Sequence, residues 1–334
     1  MFTVSKEPGS DFTSIGAALA ALESNPELPR TIFIKNGIYK ERLEIRLSDL
    51  KLIGEDREHT IITEGFGANM AMPDGSKRGT FRSYTMLLDA DRITLENLTI
   101  ENTAGDGRTA GQAIALYADG DELVIRGCRL LGHQDTLFTG PLPPTEKQRG
   151  GFIGPKEFAP RIVGRQYYRD CYIEGDVDFI FGGACALFEN CEIRSLNRGE
   201  EVNGYATAAS TPEGEPIGYV FYRCRFTGDC PQGTVYLGRP WREFAKTVML
   251  CCDLGSHIRA DGWHDWNKPE AHEHALYAEY GCTGAGADTS SRPSWIRLFD
   301  QEDADACVAA VRRRFSFCPD CCTENHSEGG CDTL

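Results

Sequence analysis

The sequence predicts an all-β protein, a right-handed single-stranded parallel β-helix with short capping helices. Three observations lead to this prediction. Short segments of the 334-residue chain alternate apolar and polar residues with the period of two that a half-buried strand shows. These segments recur along the chain at intervals typical of a solenoid. Each segment places a small apolar residue at the same point, and these residues are Leu98, Cys128, Cys171, Cys191, Cys224 and Cys252.

The spacing of the repeat indicates the kind of solenoid. The successive intervals from Leu98 to Cys252 are 30, 43, 20, 33 and 28 residues, so the unit is one coil with connecting loops of variable length. Gly127, Asp170 and Asn190 precede three of the cysteines and suit the turns between short strands. We expect the cysteines to stack as an interior ladder, because free thiols are readily buried. A metal or redox site is the alternative interpretation of the same residues.

The segments outside the repeat are consistent with one domain. Residues 13–22 predict a short amphipathic helix that begins near Thr13 or Ser14 and closes the first coil. Residues 305–315 predict a C-terminal helix. Residues 139–165 are rich in glycine and proline and interrupt the repeat, which predicts a long loop near the functional face. We therefore assign residues 1–317 to the β-helix domain and residues 318–334 to a Cys-rich acidic tail, expected to be disordered.

Charge and hydropathy argue against two classes of partner. The chain carries 35 basic and 50 acidic side chains, a formal net charge of −15, whereas a nucleic-acid surface needs basic patches that displace counterions. No apolar run approaches the roughly 20 residues that span a bilayer, so we expect no membrane span. The N-terminal residues are polar or glycine where a secretory signal would be apolar. We therefore predict a cytoplasmic location, or secretion if a leader precedes the given sequence.

Four polar segments interrupt the apolar strands, at residues 111–113, 133–137, 178–182 and 237–241. Together they supply two carboxylates, two amides, a guanidinium and an indole. The positions that follow one another on successive segments are 23, 43 and 61 residues apart, yet stacked coils place such residues side by side. The side chains concerned are Gln112, Gln134, Asp135, Asp178, Arg239 and Trp241.

This set of side chains suits ester hydrolysis without a serine or a metal. Such a reaction needs a carboxylate nucleophile, an acid that protonates the leaving alkoxide, and hydrogen-bond donors for the developing oxyanion. Two carboxyls close together divide these roles, because like charges oppose double ionisation. A guanidinium beside one of them holds that carboxylate charged and oriented.

Each residue also has a simpler interpretation. Asp178 alone fits a turn carboxylate that backbone donors satisfy, and Asp135 fits an ordinary polar bend. Arg239 fits a surface ion pair, which contributes little to stability. Gln112 fits a contact with the backbone of a neighbouring coil, and Trp241 fits a plain core residue. The joint pattern favours the catalytic interpretation.

The joint pattern resembles that of the pectin methylesterases, the carbohydrate esterases that remove methyl groups from galacturonate esters. The resemblance covers nearly the whole chain, because it extends to residues 165–182, 262–266, 277–280 and 284–288. Trp263 and Trp266 lie within it, and we interpret both as packing residues.

The resemblance implies a role for each residue of the site. Asp178 is expected to be the nucleophile, and Asp135 the general acid and later the base. The other implied roles are these: Gln134 and Gln112 donate amide hydrogens to the oxyanion or the substrate, Arg239 steadies Asp178 and contacts the substrate, Trp241 offers a flat apolar face to a sugar ring, and Thr85 contacts the substrate.

The resemblance also implies an activity. It predicts hydrolysis of galacturonate methyl esters in methyl-esterified homogalacturonan or oligogalacturonides, by a monomer that needs no cofactor and no catalytic metal. A methylated polymer is nearly neutral, so a chain of charge −15 repels it less than it repels polygalacturonate. If the protein is cytoplasmic, short imported oligomers are the expected substrates. The alternatives are a pectate lyase or polygalacturonase of the same fold, and a non-catalytic carbohydrate-binding scaffold.

The chain departs from the family pattern in two places. The loop between Leu137 and Gln166 is longer than in most members, and we expect it to reshape one end of the substrate groove. In the tail, four residues have the spacing C-x2-C-x4-H-x4-C of a zinc knuckle, but the aromatic, glycine and basic residues expected inside a knuckle are missing. We therefore expect a disordered tail, with structural zinc as the alternative; the four residues are Cys318, Cys321, His326 and Cys331.

Overall fold

The computed structural model describes residues 1–318 and Cys321. Within this part of the chain, the strands form three sheets. The first sheet contains, in spatial order, β1 (Phe2–Val4), β2 (Thr31–Ile34), β5 (Lys51–Gly54), β8 (Thr94–Glu96), β11 (Leu123–Arg126), β14 (Arg165–Arg169), β17 (Cys185–Glu189), β20 (Tyr219–Tyr222), β23 (Lys246–Leu250), β25 (Leu276–Tyr280) and β26 (Arg297–Leu298). The second contains β3 (Gly37–Lys40), β6 (Thr60–Glu64), β9 (Thr99–Asn102), β12 (Arg129–Leu131), β15 (Tyr172–Gly175), β18 (Glu192–Ser195), β21 (Arg225–Gly228) and β24 (Asp253–Leu254). The third contains β4 (Leu43–Ile45), β7 (Met86–Leu88), β10 (Leu116–Ala118), β13 (Leu137–Thr139), β16 (Val177–Gly182), β19 (Gly204–Ala209) and β22 (Val235–Gly238).

The order of the strands is that of a parallel β-helix. From β2 to β24 the chain adds one strand to each sheet in turn, so that successive coils stack. Neighbouring strands pair in parallel and in register, as Leu116, Leu137 and Ile180 do across β10, β13 and β16. The fold predicted from the repeat is confirmed.

The predicted cysteine ladder lies inside the coils. Cys128, Cys171, Cys191, Cys224 and Cys252 are free thiols with at most 2% of their surface exposed. Backbone hydrogen bonds of about 2.9 Å join successive coils at the ladder. In each bond, the amide of the residue that follows one ladder position donates to the carbonyl of the ladder residue one coil earlier. The residue before each position has a φ of 53–60°, a conformation that glycine, asparagine and aspartate adopt readily. These turn residues are Asn97, Gly127, Asp170, Asn190, Arg223, Cys251 and Gly281.

The helical segments flank the coils. They are α1 (Ile15–Ser24), the 3-10 helix η1 (Thr80–Arg82), α2 (Gly107–Ala110), α3 (Ala271–His274) and α4 (Gln301–Arg314). Ser14 caps α1 by accepting from the Ala17 amide, and the apolar face of α1 joins the interior cluster. No helix in the described part of the chain is long and apolar enough to cross a bilayer.

The predicted C-terminal helix is α4, and it packs against the side of the coils. Its buried residues Ala304, Val308 and Val311 form a separate cluster with side chains of β14, β17, β20 and β23, so the helix covers the outer face of the first sheet. Cys318 and Cys321 are buried in the same cluster. The packing therefore continues past the boundary after residue 317 that the sequence suggested.

Candidate active site

The strand order of the third sheet gathers the predicted catalytic side chains. Gln112 lies before β10, and Gln134 and Asp135 lie before β13. Asp178 lies in β16, and Arg239 follows β22 directly. Because β10, β13, β16, β19 and β22 are consecutive neighbours, residues far apart in sequence meet at one place. All five side chains line the same cavity, of about 390 Å³.

Both aspartates sit in unusual backbone conformations. The φ angles of Asp135 and Asp178 are 66° and 50°, in the left-handed region that non-glycine residues rarely enter. The pairing of β16 with β19 shifts register between Val177 and Ile180, and this bulge re-aims the Asp178 side chain. The Asp135 amide donates to the Val177 carbonyl at 3.1 Å, which ties the two segments together. Local strain of this kind clusters at functional sites.

The Asp178 carboxylate is held by Arg239. Arg239 Nε donates to Asp178 Oδ1 at 2.8 Å, and Nη2 donates to Oδ2 at 2.7 Å. The guanidinium lies 3.7 Å from the ring centroids of both Tyr205 and Trp266, so aromatic faces fix its plane. The predicted contact between Arg239 and Asp178 is therefore present, in the two-pronged geometry that lysine does not offer.

The two carboxyl groups have different electrostatic surroundings. Both aspartates are 7% exposed. Burial, followed by the negative charge of Asp178, raises the pKa of Asp135 well above its ordinary value. Burial also raises the pKa of Asp178, but the charge and hydrogen bonds of Arg239 oppose the rise. The arrangement favours one negative charge on Asp178 and one proton on Asp135.

The two amides line the cavity beside the aspartates. Gln134 precedes Asp135 directly, and its carbonyl accepts from the Ala113 amide at 3.0 Å. Gly107 of α2 leaves the space for this side chain, because a Cβ there would lie 2.5 Å from Gln134 Oε1. Gln112 faces the same cavity from the preceding coil. Both amides are thus available as hydrogen-bond donors at the site.

One predicted substrate contact is wrong. Thr85 is fully buried, its hydroxyl donates to the Glu101 carbonyl at 2.8 Å, and it does not line the cavity. Its side chain is enclosed between coils and is out of reach of a substrate. Thr80 of η1 is the threonine that faces the cavity.

The structure also corrects the interpretation of one tryptophan. Trp263 is a packing residue as predicted, since it is buried and its Nε1 donates to Glu279 at 2.8 Å. Trp266 instead lines the cavity and stacks on Arg239. Trp241 is half-buried, lines the cavity as predicted, and packs against Phe181 at 5.7 Å between ring centroids. Sequence reasoning missed Lys268, which lines the cavity beside Trp266.

Comparison with known proteins agrees with this geometry. The sequence model of the family described as Pectinesterase matches residues 1–142 and 161–313. Pectinesterase 31 of Arabidopsis thaliana is 33% identical over 310 residues, covering 90% of this chain and 89% of its own length. The chain belongs to the pectinesterase family.

Solved structures of pectinesterases share the fold. Pectin methylesterase from carrot superposes with a TM-score of 0.74 at 28% identity, covering 91% of this chain and 89% of that chain. Pectin methylesterase PemA from Erwinia chrysanthemi superposes with a TM-score of 0.72 at 29% identity, covering 91% and 94%. Some curated relatives are longer: the chain spans 49% of Pectinesterase/pectinesterase inhibitor 18 of Arabidopsis thaliana, with 33% identity over 87% of its own length.

Residues 143–160 fall in the gap between the two stretches that the pectinesterase family model matches. We call this segment the wall. It brings Glu146, Lys147, Gln148, Gly151 and Phe152 to the cavity. The long loop that the sequence analysis places near the functional face thus lines the cavity that contains the two aspartates.

Metal ligation was an alternative for two groups of cysteines. Among the described residues, no group of three or more histidine, cysteine, aspartate or glutamate side chains is placed to hold a metal ion. The ladder is a packing feature, as its burial indicates. Of the four residues with zinc-knuckle spacing, His326 and Cys331 lie outside the described residues, so structural zinc in the tail stays the alternative interpretation.

Proposed function

We propose that this pectinesterase-family protein is a pectin methylesterase that converts galacturonate methyl esters to free carboxylates and methanol. The observation that carries the proposal is the pair of buried carboxyls in one cavity. Arg239 holds Asp178 through two hydrogen bonds, whereas no hydrogen bond to the Asp135 carboxyl is present within the described part of the chain. One group is thereby poised as a nucleophile and the other as a proton donor.

The proposed first half-reaction releases methanol. A carboxylate oxygen of Asp178 attacks the ester carbonyl carbon, and the carbonyl oxygen becomes an oxyanion. The amides of Gln112 and Gln134 donate hydrogen bonds to this oxyanion. The tetrahedral intermediate collapses, the bond to the methoxy oxygen breaks, and Asp135 gives its proton to that oxygen. Methanol leaves, and the substrate acyl group is bound to Asp178 as an anhydride.

The second half-reaction restores both aspartates. Asp135 is now a carboxylate and takes a proton from a water molecule, while the water oxygen attacks the acyl carbon. The bond to Asp178 breaks, and the free galacturonate carboxylic acid forms and then ionises. Asp178 is again a carboxylate held by Arg239, and Asp135 is again protonated.

The cavity also supports the proposed class of substrate. Trp241, Trp266 and Phe152 line it and offer flat apolar faces to sugar rings. A pectin methylesterase of known structure that is similar to this chain over 91% of its length was solved in complex with a hexasaccharide. We propose that the substrate here is methyl-esterified homogalacturonan or a methylated oligogalacturonide, bound by a monomer.

The state of the cysteines bears on the cellular compartment of the protein. The cytoplasmic prediction depended on the polar and glycine residues near the N-terminus. Eleven cysteines in the described part of the chain are free, but Cys251 is disulfide-bonded. Because structural disulfides are rare in the cytosol, we propose secretion as the better-supported location.

Product analysis on methylated oligogalacturonides of defined length tests the proposed function. Release of methanol in equal amount to new carboxylate, without a rise in ultraviolet absorbance, is the expected result. A pectate lyase would produce an unsaturated, absorbing product, and a polygalacturonase would shorten the oligomer. A carbohydrate-binding scaffold would do none of these, and any of these three outcomes would overturn the proposal.

A further inference from the structure

One residue of the polar segment at 133–137 has no part in the proposed reaction, and this residue is His133. It lies two positions before Asp135, and Asp176 lies two positions before Asp178 on the next coil. His133 Nδ1 is 3.0 Å from Asp176 Oδ2. Neither side chain lines the cavity. The pair therefore joins, from outside the cavity, the two segments that carry its aspartates.

Regular strand pairing does not hold these two segments where the aspartates lie. The pairing of β13 with β16 begins two residues after each aspartate. Before that point, the Asp176 amide donates to the His133 carbonyl at 3.1 Å. The Asp135 amide donates to the Val177 carbonyl, also at 3.1 Å. The side-chain contact of His133 with Asp176 thus reinforces the few main-chain bonds that set the separation of the two aspartates.

Asp176 transmits this contact to the main chain. Its side chain is 1% exposed, and its Oδ1 accepts from the Val177 amide at 2.7 Å. The Asp176 carbonyl packs against Gly204 of β19, where a Cβ would lie 1.9 Å from the carbonyl oxygen. A buried carboxylate is costly unless it is paired and hydrogen-bonded. His133 supplies that partner, and a change at His133 is felt directly before Asp178.

The strength of the contact depends on whether His133 carries a proton. The hydrogen bond to Asp176 raises the pKa of His133 above its ordinary value, burial opposes the rise, and the charges of Asp176, Asp106 and Glu174 add to it. These three carboxyls come from the turn before β16, the N-cap of α2 and β15. Because the pKa is raised, the stability from the ion pair is present at low pH and is lost as the pH rises through that pKa. Above it, a neutral hydrogen bond remains.

The charge of Asp176 also acts on both aspartates of the cavity. After burial and the charge of Asp178, it adds to the rise in the pKa of Asp135. Burial raises the pKa of Asp178, Arg239 opposes the rise, and the charge of Asp176 adds a smaller rise. A proton on His133 offsets the charge of Asp176 at short range. The protonated pair therefore favours the ionised form of Asp178.

We propose that His133 and Asp176 are positioning residues for the reaction at Asp135 and Asp178, and that the pair works best when His133 carries a proton. The inference rests on the proposed function, because it concerns the separation of two groups that act on the same ester. Its consequence is a partial fall in kcat when the proton leaves His133. KM should change little, because a small misplacement of reacting groups affects the rate more than binding.

The test uses two variants of His133 and one matched control. His133→Ala removes the contact, whereas His133→Asn keeps a neutral donor near the position of Nδ1 but cannot take up a proton. His59→Asn is the control, because His59 Nδ1 lies 2.7 Å from Asp56 Oδ1 in an exposed pair that does not line the cavity.

Methanol release from a methylated hexagalacturonate gives kcat and KM across the pH range in which histidine titrates. Proton NMR of the imidazoles gives the pKa of His133, whose signal is assigned by its absence from His133→Asn. Circular dichroism confirms the fold of each variant.

We expect the kcat of wild type to fall about threefold to fivefold as the pH rises through the pKa of His133, with KM changed less than about twofold. His133→Asn should lack this step and keep the lower of the two wild-type levels. His133→Ala should lower kcat about tenfold or more. The fall due to ionisation of Asp135 should remain in every variant, so the step that His133→Asn lacks belongs to His133. His59→Asn should change neither constant.

An unchanged kcat in His133→Ala, or a pH step that persists in His133→Asn, would overturn the positioning role. A loss confined to KM, or an equal loss in His59→Asn, would overturn it too. If His133→Ala does not fold, the pH step in His133→Asn decides alone. Absence of methanol with wild type at every pH would overturn the proposed function, and the positioning role with it.

Discussion

The proposed catalytic side chains and the wall face one cavity but are held in different ways. Asp135, Asp178 and Arg239 sit on stacked coils of the third sheet, where parallel pairing fixes each position relative to its neighbours. The wall is one segment of residues 143–160, held by contacts of single side chains such as Arg161 and Phe152. The first region is matched by the pectinesterase family model and the second is not.

We infer from this difference that the stacked coils hold the groups for the chemical reaction, whereas the wall influences which substrate binds. A residue on a stacked coil cannot move without disturbing the coils above and below it, so the groups that we propose to react are rigidly placed. A loop between two strands can change in length and charge while the coils stay intact. We therefore expect substitutions at the stacked positions to abolish turnover, and substitutions in the wall to change substrate binding.

The largest effect should come from removing the proton donor. Asp135→Asn cannot protonate the leaving methoxide, so kcat should fall at least on the order of 10²-fold on every substrate. In wild type, activity should also fall as the pH rises through the raised pKa of Asp135, because the acid is then ionised. Methanol assays across pH measure both results.

Stability provides the control for this variant. Because the folded state favours protonated Asp135, the stability from this group is present at low pH and is lost as the pH rises through its raised pKa. Asparagine is neutral at every pH, so thermal unfolding of Asp135→Asn should show no loss of stability in that window. A folded variant with near-normal turnover would show that Asp135 is a structural carboxyl.

Arg239 should show the next largest effect. Its charge lowers the pKa of Asp178, so Arg239→Met should shift the acidic limb of the kcat/KM profile upward, and Arg239→Lys should shift it less. Both variants should lose activity. The folded fraction must be measured first, since removing one partner of a buried ion pair costs about 3–5 kcal/mol. A Met variant with the wild-type acidic limb and rate would contradict the assigned role.

The wall should affect binding more than turnover. Phe152 packs on Phe81 and Trp241, with centroid distances of 5.8 and 6.4 Å, and lines the cavity. Phe152→Ala should loosen the wall and raise KM several-fold, with kcat changed by less than about threefold. Phe158 lies in the same segment but is 91% exposed, so Phe158→Ala should change neither constant. Equal effects of the two variants, or a loss confined to kcat, would argue against the separation of the two regions.

The cysteine ladder should have the smallest effect on activity. Burial raises the pKa of the Cys128, Cys171 and Cys191 thiols well above the ordinary value, and all three are enclosed by the coils. They should resist a maleimide in the native protein and react after unfolding, with turnover unaffected by the reagent. Mass spectrometry that found disulfides among the ladder cysteines would contradict this account.

The fold was predictable because its signal is repeated. The ladder cysteines and the turn residues Gly127, Asp170 and Asn190 occur at matching points of successive coils, and the structure places each as expected. The ladder also continues to Cys282, which the sequence analysis did not include in the repeat. The packing of α4 on the outer face of the first sheet could not be predicted in this way, because α4 is not part of the repeat.

The site was predictable only in part. Asp135, Asp178, Gln134, Gln112, Arg239 and Trp241 lie where the coil-stacking argument places them. Thr85 was misplaced because the sequence gives no sign of the direction in which a threonine just before a strand points, and the hydroxyl of this one is buried and donates to the Glu101 carbonyl. Trp266 was interpreted as packing, but it stacks on Arg239 and lines the cavity. Lys268 and the wall lie on loops between the strands, and the spacing of the repeat does not predict where such loops run.

The most direct test of the account separates binding from chemistry in Asp178→Asn. Asparagine keeps the shape of the side chain but cannot act as the carboxylate nucleophile. The folded variant should bind a methylated hexagalacturonate with an affinity close to that of wild type, measured by calorimetry, while its rate of methanol release falls at least on the order of 10²-fold. A folded Asp178→Asn that binds the hexagalacturonate and releases methanol at near the wild-type rate would contradict the account.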